Sequence, residues 1–525
     1  MNGSRHVLVM YDVRGIQEYI FRTAKLRDAI GASAIVEDIV EDALKDAGGL
    51  GNRMQLQWYD EKNGPLDYRE NEADDIQVLY IGGGNAFVVF SSRELAVRVN
   101  KRMAKYVIDK TYSLQLATAI VDKTDNYQKD FRNIRLEMDR IKENMVVSKP
   151  IGAMPVMQVE KKTGYPLTKE WKDRGKEIVS STEAKLKAEA GIEKRKLEEK
   201  GSAYSRLEKY ISEKGRDSML AVVHIDGNNM GLRIREQTES LDTYEEAVSK
   251  MREISYNINH SYKEVFEEME NDFNTFAKKP KGKENNYFVM KVLTAGDDIT
   301  YVCNASIAVA TVEYFSRHIS EKGMVKASND NFQYRFSVCG GIAFFRSHFP
   351  FDIAYEVAEA CCESAKRRAK DPANMDGNLI GNWFDFQFCQ NVQSMNLERI
   401  RQKEYKTAGG ESLQLRPYFI SVEEMHSGFD KVKEKPYTLE KLKEYVGALV
   451  DGNKMPRSFA KRLRNTYPLG RSEAEAFDAF LKSRGTMLPE VLYTKADGEE
   501  CATFYDAAEI MDYFLTLDEM KKGER

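Results

Sequence analysis

Three carboxylates carry the chemistry this sequence could do. Asp226 closes the apolar run Met219–Ile225, and Asp297-Asp298 follow Ala295-Gly296 between two β-prone stretches, Tyr287–Leu293 and Ile299–Val302. Two strands around a short glycine-containing turn read as a hairpin, here with adjacent acids at its tip. Neighbouring carboxylates repel each other, so a divalent cation is a natural partner. Alone, a Gly-Asp-Asp turn reads more simply as a solvated acidic turn. Asp226 shifts that balance, because acids from separate elements that converge on one sheet edge meet the requirement of a two-metal site. Oxygen-only ligands among few imidazoles favour Mg²⁺ or Mn²⁺ over zinc. Behind Asp226, Gly227-Asn228-Asn229-Met230-Gly231 is a small-residue turn whose backbone amides suit a phosphate. Lys366, followed by Arg367-Arg368, is either a cation at a helix C-terminus or a triphosphate clamp, and spacing alone favours the former.

The elements that must position these groups occur twice. His6–Tyr11 reads as a buried strand ending at Asp12, followed by a helical pattern that Gly31-Ala32-Ser33 interrupts or recaps. Ile76–Ile81 and Ala86–Phe90 flank the turn Gly82-Gly83-Gly84-Asn85, then come a helix over about 93–109 and a strand over 114–121. From Asp226 the same order returns: a long helical region over about 243–273, the acidic hairpin, a helix over 305–320, a strand over 334–345 and an amphipathic helix over 351–370. Asp12 to Gly84 spans 72 positions and Asp226 to Asp297 spans 71. The predicted fold is α+β: two ferredoxin-like βαββαβ domains, each an antiparallel sheet with helices on one face. The borders fall at 1–122 for the first domain, 123–217 for a charged helical insertion (helical from 169 to 214), 218–385 for the second domain and 386–525 for a C-terminal helical domain.

The chain of 525 residues is long enough for two to four domains. At 42% hydrophobic, 31% charged and net charge −4, it has a soluble globular composition. No apolar run approaches the ~20 residues of a membrane span, and Met1–Arg5 lacks a signal-peptide core, so a cytoplasmic location with no membrane partner is expected. Six cysteines without a Cys-x-x-Cys pair argue against structural zinc or a disulfide framework. Six scattered histidines argue against a histidine-based metal hydrolase, and the near-neutral balance against a nonspecific polyanion binder.

In combination these motifs resemble the large, palm-type polymerase/cyclase subunit of type III CRISPR effector complexes. Asp12–Phe21, Lys25-Leu26-Arg27 and Gly31-Ala32-Ser33 are similar to its first palm, and Gly82-Gly83-Gly84-Asn85 to that palm's non-catalytic glycine turn. Asp226–Gly231 and Ala295–Asp298 resemble the second palm's metal aspartate and Gly-Gly-Asp-Asp hairpin. Ala358–Lys366 is similar to a helix of the more distant GGDEF-type cyclases. The resemblance implies a nucleotidyltransferase that converts ATP to cyclic oligoadenylate or a related antiviral second messenger. It implies metal binding and catalysis by Asp226, Asp297 and Asp298. It implies nucleotide binding by Gly227, Asn228, Gly231, Gly296 and Lys366, and, across the palm–palm interface, by Gly82, Gly83, Gly84, Asn85 and Ser33. Partners would be other CRISPR-type subunits with guide or target RNA, or further copies of a stand-alone enzyme.

The sequence departs from the family pattern in four ways. The first palm starts almost at Met1, so no HD nuclease domain is expected with it, and the four-cysteine zinc element between the palms is missing. The hairpin reads Ala295-Gly296-Asp297-Asp298, and Asn228 stands where many relatives carry a second aspartate, which implies a smaller metal set. Gly84-Asn85 replaces the acids in the first repeat, so that copy cannot hold two metals in the same way. Two other readings remain: a non-catalytic nucleotide-binding scaffold of a ribonucleoprotein, and a cyclase making a 3′,5′-cyclic mononucleotide.

Overall fold

The computed structural model describes residues 6–522 except 24, 61, 83, 146–153, 162, 174, 198–202, 213–217, 239–240, 242, 277–286, 323, 327–332, 377–378, 391–395, 422–428 and 453–454. Each repeat builds one sheet, and the two sheets share a strand order. In the first, Ile76–Gly82, Asn85–Phe90, Val7–Arg14 and Gln115–Asp122 lie side by side and antiparallel, with the short Met54–Gln55 added at one edge. In the second, Val289–Ala295, Asp298–Asn304, Met219–Gly227 and Val338–Arg346 repeat that order. This is the split βαββαβ arrangement the duplicated sequence predicts. The registers correspond residue for residue, with Asp12 opposite Asn85 in one copy and Asp226 opposite Asp298 in the other.

Strand alternation decides which way the site faces, because successive side chains point to opposite faces of a sheet. Met219, Ala221, Val223 and Ile225 enter a core shared with the C-terminal region, whereas Leu220 and Val222 enter the core shared with the first repeat. His224 and Asp226 therefore fall on the face toward the first repeat. On the neighbouring strand Ile299, Tyr301 and Cys303 take the first core and Val302 the second, which puts Asp298 and Thr300 on that same face.

The helix Phe351–Ala369 crosses this face at close range. A Cβ on Gly341 would collide with the Ala358 carbonyl, so glycine there lets helix and strand touch. Another tight crossing corrects the sequence reading. Gly31-Ala32-Ser33 does not interrupt a helix but lies inside Leu26–Val36, where Gly31 and Gly191 let the helix Thr182–Leu197 pack backbone to backbone.

Other elements differ from expectation where local composition misleads. Residues 169–180 form a hairpin, Lys169–Asp173 with Lys176–Ser180, around Gly175 at φ +78° rather than a helix. The helix Tyr127–Asn144, expected within the insertion, packs instead on the first sheet through the buried Ile134 and Met138. Asn382–Phe388, which straddles the border expected at 385, and Tyr418–Ile420 beyond it extend the second sheet to six strands, the first of them parallel to Val338–Arg346. The other elements described in the C-terminal region are helices and the hairpin Tyr493–Ala496 with Glu499–Ala502, and its apolar stripes merge with the second sheet in one core.

Candidate active site

The hairpin closes through a two-residue loop. Ala295 pairs with Asp298, and Gly296 takes φ +65° while Asp297 keeps a negative φ. That is the type II′ pattern, which matches the twist of the strands and asks for glycine first. It leaves Asp297 at the apex and Asp298 as the first residue of its strand. Asp298 lies opposite Asp226, so these two acids are cross-strand neighbours on one face.

Gly227 brings in the third acid. A Cβ there would stand 2.8 Å from Asp297 Oδ2 and 2.7 Å from the Tyr262 hydroxyl, so the Asp297 carboxylate lies directly over the glycine. Burial, then the charge of Asp226, pushes the Asp297 carboxyl up to about 6. Asp298 is raised as well: burial disfavours its charge, while His224 and the Gln17 amide pull the other way.

Lys366 reaches this cluster from the helix Phe351–Ala369. Its ammonium is ion-paired with Asp226 and lies 3.6 Å from Glu363. Burial works against the lysine's charge, but the Asp226 carboxylate outweighs it and holds the group protonated above its ordinary range. Lys366 thus stands in the last turn of its helix and is also paired with a carboxylate of the cluster. Among the described residues no three of His, Cys, Asp and Glu converge into a preformed metal cage. The donor set nevertheless suits a hard cation: three carboxylates meet on one edge, and the buried Asp298 Oδ1 accepts no hydrogen bond.

The remaining residues expected at the site divide. Asn228 is buried, and its amide donates inward to Ser337 Oγ at 3.2 Å and to the Gly381 carbonyl at 3.1 Å. Its backbone N–H is also taken, by the Ser337 carbonyl, so the turn offers a phosphate fewer amides than expected. Gly231 sits at the start of the helix Met230–Thr238 with open space where a side chain would stand. Gly82, Gly84 and Asn85 form the first repeat's turn, Gly84 at φ +79°, and Gly83 lies outside the described residues. Ser33 is buried within Leu26–Val36.

Four residues that sequence reasoning missed stand beside these. Lys142 is ion-paired with Asp12, as Lys366 is with Asp226, so the first repeat keeps the lysine–aspartate pair of the second without its other acids. The separations, 130 and 140 positions, are a usable signal once the repeat is followed one helix further. His224 Nδ1 lies 3.0 Å from Thr300 Oγ1 and 3.3 Å from Asp298 Oδ1, a position that alternation two residues before Asp226 makes legible. Tyr355 packs edge-on to His224, with ring centroids 5.7 Å apart. Gln17, from the first repeat, donates to Asp298 Oδ2 at 2.8 Å, and nothing local in the sequence announces it.

Residues 219–395, which carry this geometry, match the family model described as Cas10/Cmr2, second palm domain. The second repeat is similar to the Cas10/Cmr2 second palm domain. The resemblance to a type III large subunit holds on this segment. The whole chain is also similar to solved structures. One, a Csm1-Csm4 cassette in complex with pppApA, aligns at 13% identity and TM-score 0.51 over 98% of this chain and 70% of that one. A second, the cassette in complex with cA4, aligns at 13% identity and TM-score 0.47 over 97% and 70%. The first of these likenesses is one of fold, and it extends the palm architecture over both repeats. A comparison with curated proteins finds no match. Among the described residues no helix is long and apolar enough to cross a membrane.

Proposed function

We propose that this protein is a Mg²⁺- or Mn²⁺-dependent nucleotidyl cyclase that joins ATP into cyclic oligoadenylate for antiviral signalling. The observation that carries the reading is the placement of Asp226, Asp297 and Asp298, with Lys366 on Asp226, along one edge of a sheet similar to the Cas10/Cmr2 second palm. Bound cations would neutralise phosphate charge and lower the pKa of a ribose 3′-hydroxyl, whose oxygen attacks an α-phosphorus as pyrophosphate leaves. The chain's own residues do the rest. Asp226, Asp297 and Asp298 hold the cations, and the raised Asp297 carboxyl gains most, since a nearby positive charge removes the repulsion from Asp226. Lys366, displaced from Asp226 by a cation, would find a triphosphate oxygen as its next partner. Gly231, at a helix N-terminus, leaves room for a phosphate to approach. The first repeat, with Asp12 already neutralised by Lys142, would bind the second nucleotide without reacting it.

The partners proposed follow the similar structures, in which Csm1 is paired with Csm4. This chain would sit beside further CRISPR-type subunits, with RNA as the activating signal. The test is to incubate the full chain with each nucleoside triphosphate and Mg²⁺ or Mn²⁺, with and without candidate RNA, and resolve products by mass spectrometry. Cyclic oligoadenylate should form and should vanish in Asp297→Ala/Asp298→Ala. Equal product from that double variant sinks the assignment. A second reading, nucleotide binding without turnover, is favoured by the Lys366 ammonium already sitting on Asp226. Tight ATP binding with no product under any activator would select it.

A further inference from the structure

We propose that Gln17 of the first repeat is a positioning residue for the second repeat's cation site. It holds Asp298 Oδ2 and leaves Oδ1, which accepts no hydrogen bond, as the oxygen for the metal, and the site is complete only when the two repeats are docked. The inference rests on the metal-dependent reading above.

The hydrogen bond from Gln17 Nε2 to Asp298 Oδ2, 2.8 Å long, joins residues 281 positions apart. The choice of group matters. A lysine, as on Asp226 and Asp12, cancels a carboxylate's charge. A neutral amide fixes one oxygen and leaves the full negative charge available to a cation. The other oxygen, Oδ1, is buried and accepts no hydrogen bond, with His224 Nδ1 3.3 Å away. Gln17 is exposed, so its contact with Asp298 is not a packing contact of the core.

The helix that presents Gln17, Ile16–Phe21, is six residues long and is held at both ends by other parts of the molecule. Ile16 sits where a side chain on Gly84 would be: a Cβ there would stand 2.5 Å from Ile16 Cδ1. One turn after Gln17, Phe21 stacks on Tyr355 with centroids 3.4 Å apart and planes 10° from parallel. Tyr355 belongs to the helix that carries Lys366 and meets the edge of His224. One short helix thus grips Asp298 through Gln17 and the helix carrying Lys366 through Phe21. The glycine turn of the first repeat is the seat on which that short helix rests.

The experiment uses the full chain and titrates Mn²⁺, reading the free ion by electron paramagnetic resonance. Four proteins are compared: wild type, Asp298→Asn, Gln17→Met and, as control, Glu18→Gln, whose side chain pairs with Arg22. Gln17→Met should weaken Mn²⁺ binding roughly three- to tenfold, the scale of an ordinary net hydrogen bond made by an exposed side chain, with unchanged thermal midpoint. In turnover, the metal concentration for half-maximal rate should rise by the same factor while the nucleotide KM at saturating metal stays put. Glu18→Gln should match wild type. Wild-type Mn²⁺ affinity in Gln17→Met, with binding lost in Asp298→Asn, overturns the inference and leaves the proposed function standing. Absence of Asp298-dependent Mn²⁺ binding in the wild type, together with absence of product, overturns both.

Discussion

Asp297 carries the clearest tension between stability and function. An aspartate ordinarily titrates near 4, and burial with the Asp226 charge moves this one to about 6. Because the folded value lies above the unfolded one, the group favours the fold below about pH 4. That contribution is lost as pH rises through about 6, so the ionised form weighs against the fold at neutral pH. Asp297→Asn should therefore melt a few degrees higher than wild type at pH 7.5, with the gap closing by pH 4. Added Mg²⁺ should raise the wild-type midpoint and not the variant's. Thermal melts across pH with and without the ion check both signs, and a gap that widens toward pH 4 contradicts the assignment.

At the scale of elements, the site depends on how closely a helix lies on a strand. Lys366 reaches Asp226 because the helix Phe351–Ala369 touches the strand Val338–Arg346 at Gly341, one turn before the lysine along the contact formed by Ala358 and Cys362. Gly341→Ala adds a methyl where the Ala358 carbonyl stands, so the helix must lift. The expected cost is about 1–3 kcal/mol from overpacking, read as a lower denaturant midpoint, together with weaker nucleotide binding from the displaced lysine. A variant as stable and as tight-binding as wild type would show that this contact does not set the lysine's position. The tip glycine Gly296 answers to a local demand, a positive φ in a two-residue loop, and is visible in the sequence. Gly341 answers to a distant helix and is not.

Across the whole molecule the second sheet is buried on both faces, by the first repeat and by the C-terminal region. Arg252 ties the first of these contacts. It is buried and donates to the carbonyls of Leu66, Val78 and Leu79, the last two beside the bulge in the strand Ile76–Gly82. Arg252→Met removes the donor and leaves three carbonyls without it, at an expected cost of about 2–4 kcal/mol. Calorimetry should show one cooperative transition in the wild type and, in the variant, an early transition as the first repeat separates. An unchanged single transition would show that the apolar contacts alone hold the repeats together.

The features legible in the sequence are local and periodic. Continuous apolar runs set the strands, the turn chemistry of Gly296 set the hairpin, and the nearly equal spacing of Asp12–Gly84 and Asp226–Asp297 exposed the duplication, hence the palm fold and its three acids. Local composition misled where long-range packing overrode it, as in the hairpin at 169–180 and the unbroken helix through Gly31-Ala32-Ser33. Tertiary packing alone turns Asn228 inward, makes Lys142 the mirror of Lys366, and brings Gln17 to Asp298 from the other repeat. Propensity and period report on interactions within a few residues, whereas those contacts join residues 109, 130 and 281 positions apart and exist only once each sheet has folded and, for Gln17, once the two repeats have docked.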